Sequence, residues 1–211
     1  MAPNYSYQDA LDYIYAFTDY EKRGFATYAP ENYDLGRVEL LLDLLGEPQD
    51  SFQSVHIAGT KGKGSTAAMI ESVLRAQGYR TGLYTSPHLH TFRERFQVDG
   101  QMISEADLAR LVNMMQPMVG QVVEITTFDV ITALAFAWYA EQGVEWAVLE
   151  VGMGGRLDAT NVVTPVLSVI VPVGMDHTEH LGSDLCTIAR EKCGIIKPGR
   201  PVVYGAQREA V

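Results

Sequence analysis

Residues 54–65 read SVHIAGTKGKGS, and the order of residue types in this stretch decides the fold. SVHIA (54–58) is a short apolar run suited to a buried strand, and GTKGKG (59–64) is a turn rich in glycine and lysine. A helical pattern follows from about Ser65 to Gln77 and stops at Gly78. TGLYTS (81–86) then reads as a second strand, so the stretch opens a βαβ unit, the mark of a parallel sheet. In that setting Gly59, Gly62 and Gly64 let backbone N–H groups turn toward an anion, and Thr60 lies in the same turn. The helix offers the positive end of its dipole, and Lys63 adds a point charge for phosphates. Ser65 or Thr66 supplies a hydroxyl for Mg²⁺. The spacing departs from G-x-x-x-x-G-K-[ST]: Ile57 stands where the first glycine would be, and Gly64 separates Lys63 from Ser65. A Gly-rich turn with incidental lysines is the plainer reading, but the strand–turn–helix setting favours nucleotide phosphate binding. On this stretch alone a kinase, an NTPase and a ligase all remain open.

Working outward, residues 6–20 and 34–45 carry apolar side chains at helical spacing, Ile14 and Leu41 among them. Ser104 and Asp107 form a Ser-x-x-Asp cap before a helix with Leu108, Leu111, Val112 and Met115 on one face. Residues 128–142 predict a more apolar, buried helix. WAVLEV (146–151) and VLSVIV (166–171) are unbroken apolar runs of the kind found in central parallel strands. A helix over about 183–193 and a strand PVVYG (201–205) complete the pattern. His56 reads as a buried strand residue, and Cys186 and Cys193, on one face of the 183–193 helix, as core packing.

The 211 residues are 47% hydrophobic and 20% charged, which is a globular composition able to bury a core without staples. A net charge of −10 argues against nucleic acid as a partner, because duplex binding rests on Lys and Arg neutralising phosphates. Two cysteines without CxxC spacing suit a reducing compartment. No apolar run approaches the ~20 residues of a membrane span. The polar N-terminus has no basic segment followed by an apolar one, so the expectation is a cytoplasmic protein with no membrane association. The last residues, Gly205 to Val211, do not read as the end of a folded chain, so the domain is expected to be incomplete there.

In doubly wound sheets ligands sit beyond the carboxyl ends of strands. Glu150 ends WAVLE, His177 follows VLSVIVPVG in MDHTEHLG, and Lys192 lies in IAREKCGIIKPG. Glu150 suits a Mg²⁺ ligand, with a surface glutamate as the alternative. His177 and His180 beside Asp176 resemble a zinc pair, yet no further ligands at zinc spacing follow. A site role and a solvated or structural role stay open for His177. Lys192, from spacing alone, is a basic last turn complementing a helix dipole.

Seven stretches in order resemble the ATPase domain of folylpolyglutamate synthase/dihydrofolate synthase, in the Mur ligase superfamily. They are LGRVELLLDLLGEPQ, VHIAGTKGKGS, GLYTSPHLHTFRERF, ITTFDVITALAFAWY, VLEVGMGGRLDATN, GMDHTEHLG and IAREKCGIIKPG, from about residue 35 to 199. The resemblance implies a P-loop-type three-layer α/β fold, a parallel sheet with flanking helices like a Mur ligase central domain. Residues 1–211 would form the ATP- and folate-binding domain, with helices in 6–45 leading into it and the family's C-terminal domain absent. It also implies that Gly59, Thr60, Gly62, Lys63, Gly64, Ser65 and Thr66 bind ATP, with Lys63 on the phosphates and Ser65 on Mg²⁺. Lys61 stands where the family more often has Asn.

Glu150 matches a Mg²⁺ ligand, and His177 matches a ligand of a second ion. Lys192 matches a lysine whose carbamate helps hold that ion in relatives. Thr85, Ser86, Pro87 and His88, in TSPHL, resemble a loop bordering the pterin, and Phe128 and Asp158 match pterin-contacting positions. Arg156 and Asn161 only shape the site.

The implied reaction is ATP-dependent amide formation: a folate carboxylate takes the γ-phosphoryl group, and the amine of L-glutamate displaces phosphate. Lys63, His177 and Lys192 are the residues placed at the chemistry, and a monomer is expected at full length. The alternatives are a nucleotide- and folate-binding module without full turnover, and a Mur-type peptide ligase, which TSPHL and GGRLDATN disfavour.

Overall fold

The expected βαβ unit lies at the middle of a seven-stranded sheet. The computed structural model describes residues 5–18, 33–176 and 178–205. Its strands are β1 (Gln53–Ala58), β2 (Thr81–Tyr84), β3 (Phe96–Val98), β4 (Gln101–Met102), β5 (Trp146–Glu150), β6 (Leu167–Ile170) and β7 (Val202–Tyr204). Their order is β4-β3-β2-β5-β1-β6-β7. The five strands from β2 to β7 in that order pair in parallel, and β1 is held between β5 and β6.

The edge beyond β2 adds an antiparallel element to this parallel sheet, because β3 runs against both β2 and β4. Between β3 and β4 lies a two-residue turn: Asp99 (φ 51) and Gly100 (φ 74) both take left-handed backbone, which suits a tight hairpin. Asp99 also ties this hairpin to β2, its Oδ1 accepting the Thr81 N–H at 2.9 Å.

The helices described are α1 (Tyr7–Tyr15), α2 (Leu35–Leu44), α3 (Lys63–Ala76), α4 (Glu105–Val119), α5 (Thr127–Glu141), α6 (Thr178–Leu181) and α7 (Leu185–Cys193). They give the three layers expected. Alternation along the strands sends Val55, Ile57, Leu83 and Val148 toward α3. Tyr84, Ala147 and Leu149 face a larger core shared with α1, α2, α4 and α5. Ala58 and Ile170 pack with Ile188, Ala189 and Ile195 in and beyond α7. Burying each such aliphatic or aromatic side chain stabilises by about 1.5–3 kcal/mol relative to leaving it in water.

α5 is buried on nearly every side, from Val130 to Tyr139. Thr126 caps it, with Thr126 Oγ1 donating to Asp129 Oδ2 at 2.7 Å and the Thr126 N–H donating to the same oxygen at 3.0 Å. Ser104 caps α4 as the sequence predicts, accepting the Asp107 N–H at 3.0 Å.

Other boundaries differ. The first helix ends at Tyr15, and positions 19 and 20 of the expected 6–20 helix lie outside the described residues. α3 starts at Lys63, two residues early, because Gly62 (φ 90) turns the chain directly into it. Of the two cysteines expected to pack in the core, only Cys193 does so, partly buried against the cluster of Ala58, Ile170 and Ile188. α7 turns Ile188, Ala189 and Lys192 inward, so Cys186 is exposed and Cys193 half-buried. Among the described residues no helix is long and apolar enough to cross a membrane.

Candidate active site at the strand ends

β1 delivers the chain into the phosphate loop at Gly59, where φ is +146. A Cβ there would stand 2.2 Å from Val171 Cγ2 and 2.7 Å from Val171 O, so the loop leaves the sheet by a path open only to glycine. Thr60 fastens the loop to the end of β6. Its N–H donates to Pro172 O at 3.1 Å, and its hydroxyl both donates to Gly174 O and accepts the Gly174 N–H. Lys63, Gly64, Ser65 and Thr66 form the first turn of α3, where the helix dipole is positive and the N–H groups have no acceptor within the helix until Thr66, whose N–H donates to Gly62 O. The strand, glycine turn and helix N-terminus expected of an anion cradle are thus present, without the first glycine of the usual spacing.

Glu150, the last residue of β5, is buried and meets this loop. A Cβ on Gly64 would lie 3.1 Å from Glu150 Oε2, so the carboxylate occupies space that a side chain there would take. Oε2 accepts the Ser86 N–H at 3.1 Å. Burial raises the Glu150 pKa, opposed by the Ser86 N–H, the Lys63 charge and the Gly64 N–H. One carboxylate therefore joins the phosphate loop to the loop after β2.

That second loop, Thr85 to Thr91, contains a cis Ser86–Pro87 peptide bond. Thr85 N–H donates to Arg95 O at 3.4 Å. The His88 ring stands edge-on to Phe92, and its Nδ1 accepts from Arg95 Nε at 3.1 Å. Sequence reading passed over Glu94. Its carboxylate accepts the N–H groups of Leu89, His90 and Thr91 at 2.8, 2.9 and 2.7 Å, and these bonds hold its pKa down at about 2. The Thr-x-x-Glu pattern of Thr91 and Glu94 was the signal for it.

Phe128, in the first turn of α5, lies against the glycine-rich loop after β5. A Cβ on Gly152 would be 2.6 Å from Phe128 Cζ, and the ring also neighbours Tyr84 at 6.2 Å between centroids. Asp158 is buried, and it accepts the N–H groups of Met153 and Thr160, each at 3.0 Å, and the Thr160 hydroxyl. Burial nevertheless raises its pKa to about 6. Arg156 pairs with Glu191 at 2.9 Å, and Asn161 Nδ2 donates to Arg156 O and Gly194 O, so both brace this loop against α7.

Lys192 does more than complement a dipole. It is 2% exposed, and its Nζ donates to Gly59 O at 3.0 Å, from the opposite side of the phosphate loop. Burial lowers its pKa to about 8, helped by the Lys63 charge and opposed by Asp176 and Asp158. His177 lies outside the described residues. Among the described residues no group of three or more His, Cys, Asp or Glu side chains could hold a metal by itself. The hard oxygen donors Glu150 and Ser65 nonetheless fit Mg²⁺, which takes one or two protein oxygens with phosphate and water.

A glycine-turned loop, a strand-end carboxylate and a buried lysine thus meet on a mostly parallel sheet, an arrangement able to hold an anion. The Mur ligase middle domain matches residues 57–205, and the chain belongs to that family. It is 45% identical over 175 residues to a dihydrofolate synthase/folylpolyglutamate synthase of Bacillus subtilis, covering 80% of this chain and 41% of the relative. With a folylpolyglutamate synthase of Lacticaseibacillus casei it shares 39% identity over 206 residues, 95% of this chain and 46% of the relative. The chain thus spans less than half the length of these relatives. Among solved structures, a complex of folylpolyglutamate synthase with AMPPCP and folate superposes with a TM-score of 0.87 at 39% identity, over 97% of this chain and 49% of that one. A Mycobacterium tuberculosis folylpolyglutamate synthase bound to ADP gives 0.86 at 38% identity, over 97% and 46%.

Proposed function

We propose that the chain is the ATP- and folate-binding part of a ligase that joins L-glutamate to a folate through an acyl phosphate. The observation that carries this reading is Glu150, which accepts N–H groups from both the phosphate loop and the TSPHL loop. A carboxylate shared in this way sets the nucleotide's phosphates beside whatever the second loop borders. The structural neighbour holding AMPPCP and folate supports assigning those two loops to ATP and folate.

In this mechanism the folate carboxylate attacks the γ-phosphorus of ATP, releasing ADP and leaving an acyl phosphate. The amine of glutamate then attacks the acyl carbon, phosphate departs, and the amine gives up its proton. Anions meet anions in the first step, so charge must be neutralised locally. Lys63 and the N–H groups of Gly62, Lys63 and Ser65 do this for the phosphates, and orient them in line with the attacking oxygen. Ser65 and Glu150 would hold Mg²⁺, which supplies Lewis-acid charge neutralisation when bound.

Lys192, with its pKa lowered to about 8, offers a neutral amine near physiological pH. That amine can add CO₂, with loss of one proton, and the resulting carbamate with His177 would serve a second ion. Phe128 gives an aromatic face for the pterin, and Asp158 accepts from its N–H groups. Thr85, Ser86, Pro87 and His88 border the same ring. The Bacillus subtilis relative is named for both activities, which supports testing dihydropteroate beside tetrahydrofolate as a substrate.

The test is ATP-dependent incorporation of labelled glutamate by the longest natural polypeptide carrying residues 1–211, with tetrahydrofolate and dihydropteroate supplied separately. Incorporation that needs both ATP and a folate supports the reading. ATP hydrolysis indifferent to folate overturns it.

A further inference from the structure

β1 turns Val55 and Ile57 toward α3 and sends His56 to the opposite face, where it is 0% exposed. A histidine in that place needs a reason, because polar ring atoms lose water there and an aliphatic side chain would lose nothing. Burial, with the Lys197 charge, lowers its pKa to about 3, so the ring is neutral. Its Nε2 lies 2.8 Å from Thr160 Oγ1. Thr160, itself fully enclosed, donates its only hydroxyl proton to Asp158 Oδ1. The ring must then be the donor to Thr160, which fixes the proton on Nε2 and leaves Nδ1 bare. Nδ1 is then an acceptor, and it has no hydrogen-bond partner among the described residues.

The chain of bonds continues outward. Asp158 accepts the Met153 N–H at 3.0 Å, and Phe128 fills the space that a side chain on the adjacent Gly152 would take. His56, Thr160, Asp158 and the Gly152–Met153 turn thus form one directed line, from the strand that feeds the phosphate loop to the aromatic face.

We infer that His56 is a positioning residue for folate: its ring N–H orients Thr160, and Thr160 in turn fixes the Asp158 carboxylate that shapes the loop against Phe128. This rests on the reading that Phe128 and Asp158 contact the pterin. The residue acts through its donor, so glutamine retains part of the function and leucine none.

The test compares His56→Leu, His56→Gln and Asp158→Asn in the longest natural polypeptide carrying this chain, by the KM for tetrahydrofolate, the KM for ATP and kcat. Losing one orienting hydrogen bond predicts about a tenfold rise in folate KM for His56→Leu, with ATP KM and kcat within about twofold. His56→Gln should recover most of the loss. Equal rises in both KM values, or identical behaviour of the leucine and glutamine variants, would overturn the inference. So would an unchanged folate KM in His56→Leu when Asp158→Asn raises it. An Asp158→Asn variant with unchanged folate KM refutes the pterin reading instead. The ¹⁵N shifts of the His56 ring then decide the bond chain alone: a proton on Nε2 supports it, and one on Nδ1 overturns it.

Discussion

Replacing Lys192 by methionine should make the protein's stability less dependent on alkaline pH, by an amount that follows from its surroundings. The amine is almost completely enclosed, and its pKa falls from an ordinary 10.5 to about 8. A folded-state pKa below the unfolded one means that the charged form is penalised on folding. At neutral pH both states are protonated, and the penalty is about 3 kcal/mol. It shrinks as pH rises from 8 toward 10.5, where the folded state gives up its proton first, so wild-type stability gains there. Methionine is unbranched, one atom shorter and uncharged, but it leaves Gly59 O without its donor, at a cost of about 1–3 kcal/mol. The two effects nearly offset at neutral pH, so the absolute difference decides little and its change with pH decides a great deal. Urea unfolding of residues 1–211 and of Lys192→Met, in CO₂-free buffer, should show wild type gaining about 2 kcal/mol on the variant between about pH 7 and about pH 9.5. A difference that stays constant over that range would refute the buried amine of lowered pKa on which the carbamate proposal depends.

Other perturbations separate the two halves of the site. Lys63→Ala should lower turnover at least about 100-fold, since it removes the mobile positive charge from the transferring phosphoryl group, with ATP-dependent glutamate incorporation as the readout. Phe128→Ala should raise the folate KM far more than the ATP KM, and equal effects would count against an aromatic pterin face. Gly59→Ala would force a Cβ to 2.2 Å from Val171 Cγ2 at a positive φ. That substitution should cost about 2 kcal/mol or more and weaken ATP binding, as thermal melts with and without ATP would show.

The parts of the fold legible in the sequence were those written in local pattern. The strand–turn–helix of residues 54–77, the Ser104 cap and the apolar runs of β5 and β6 each follow from neighbours a few positions apart. The β3–β4 hairpin was equally legible, since Asp99-Gly100 between short β-prone runs is a hairpin signal. The inward face of α7 was not. Seven-residue spacing puts Cys186 and Cys193 on one stripe, and only the packed sheet decides that Lys192 turns inward.

The contacts that make the site were hidden for the same reason. Glu150 reaches Ser86 across 64 positions, His56 reaches Thr160 across 104, and Lys192 reaches Gly59 across 133. No local periodicity encodes such pairs. The seven stretches of family resemblance supplied the residues, and the sheet topology brings the described ones together at its carboxyl edge.

The most direct test of the account is a single pair of assays on the longest natural polypeptide carrying this chain, wild type beside Lys63→Ala. Labelled glutamate, ATP and tetrahydrofolate are present, and product amide and ADP are counted together. The account predicts one ADP per amide formed in the wild type, strict dependence on the folate, and loss of both products in Lys63→Ala. Amide formation that survives without ATP, or that proceeds unchanged in Lys63→Ala, would contradict it.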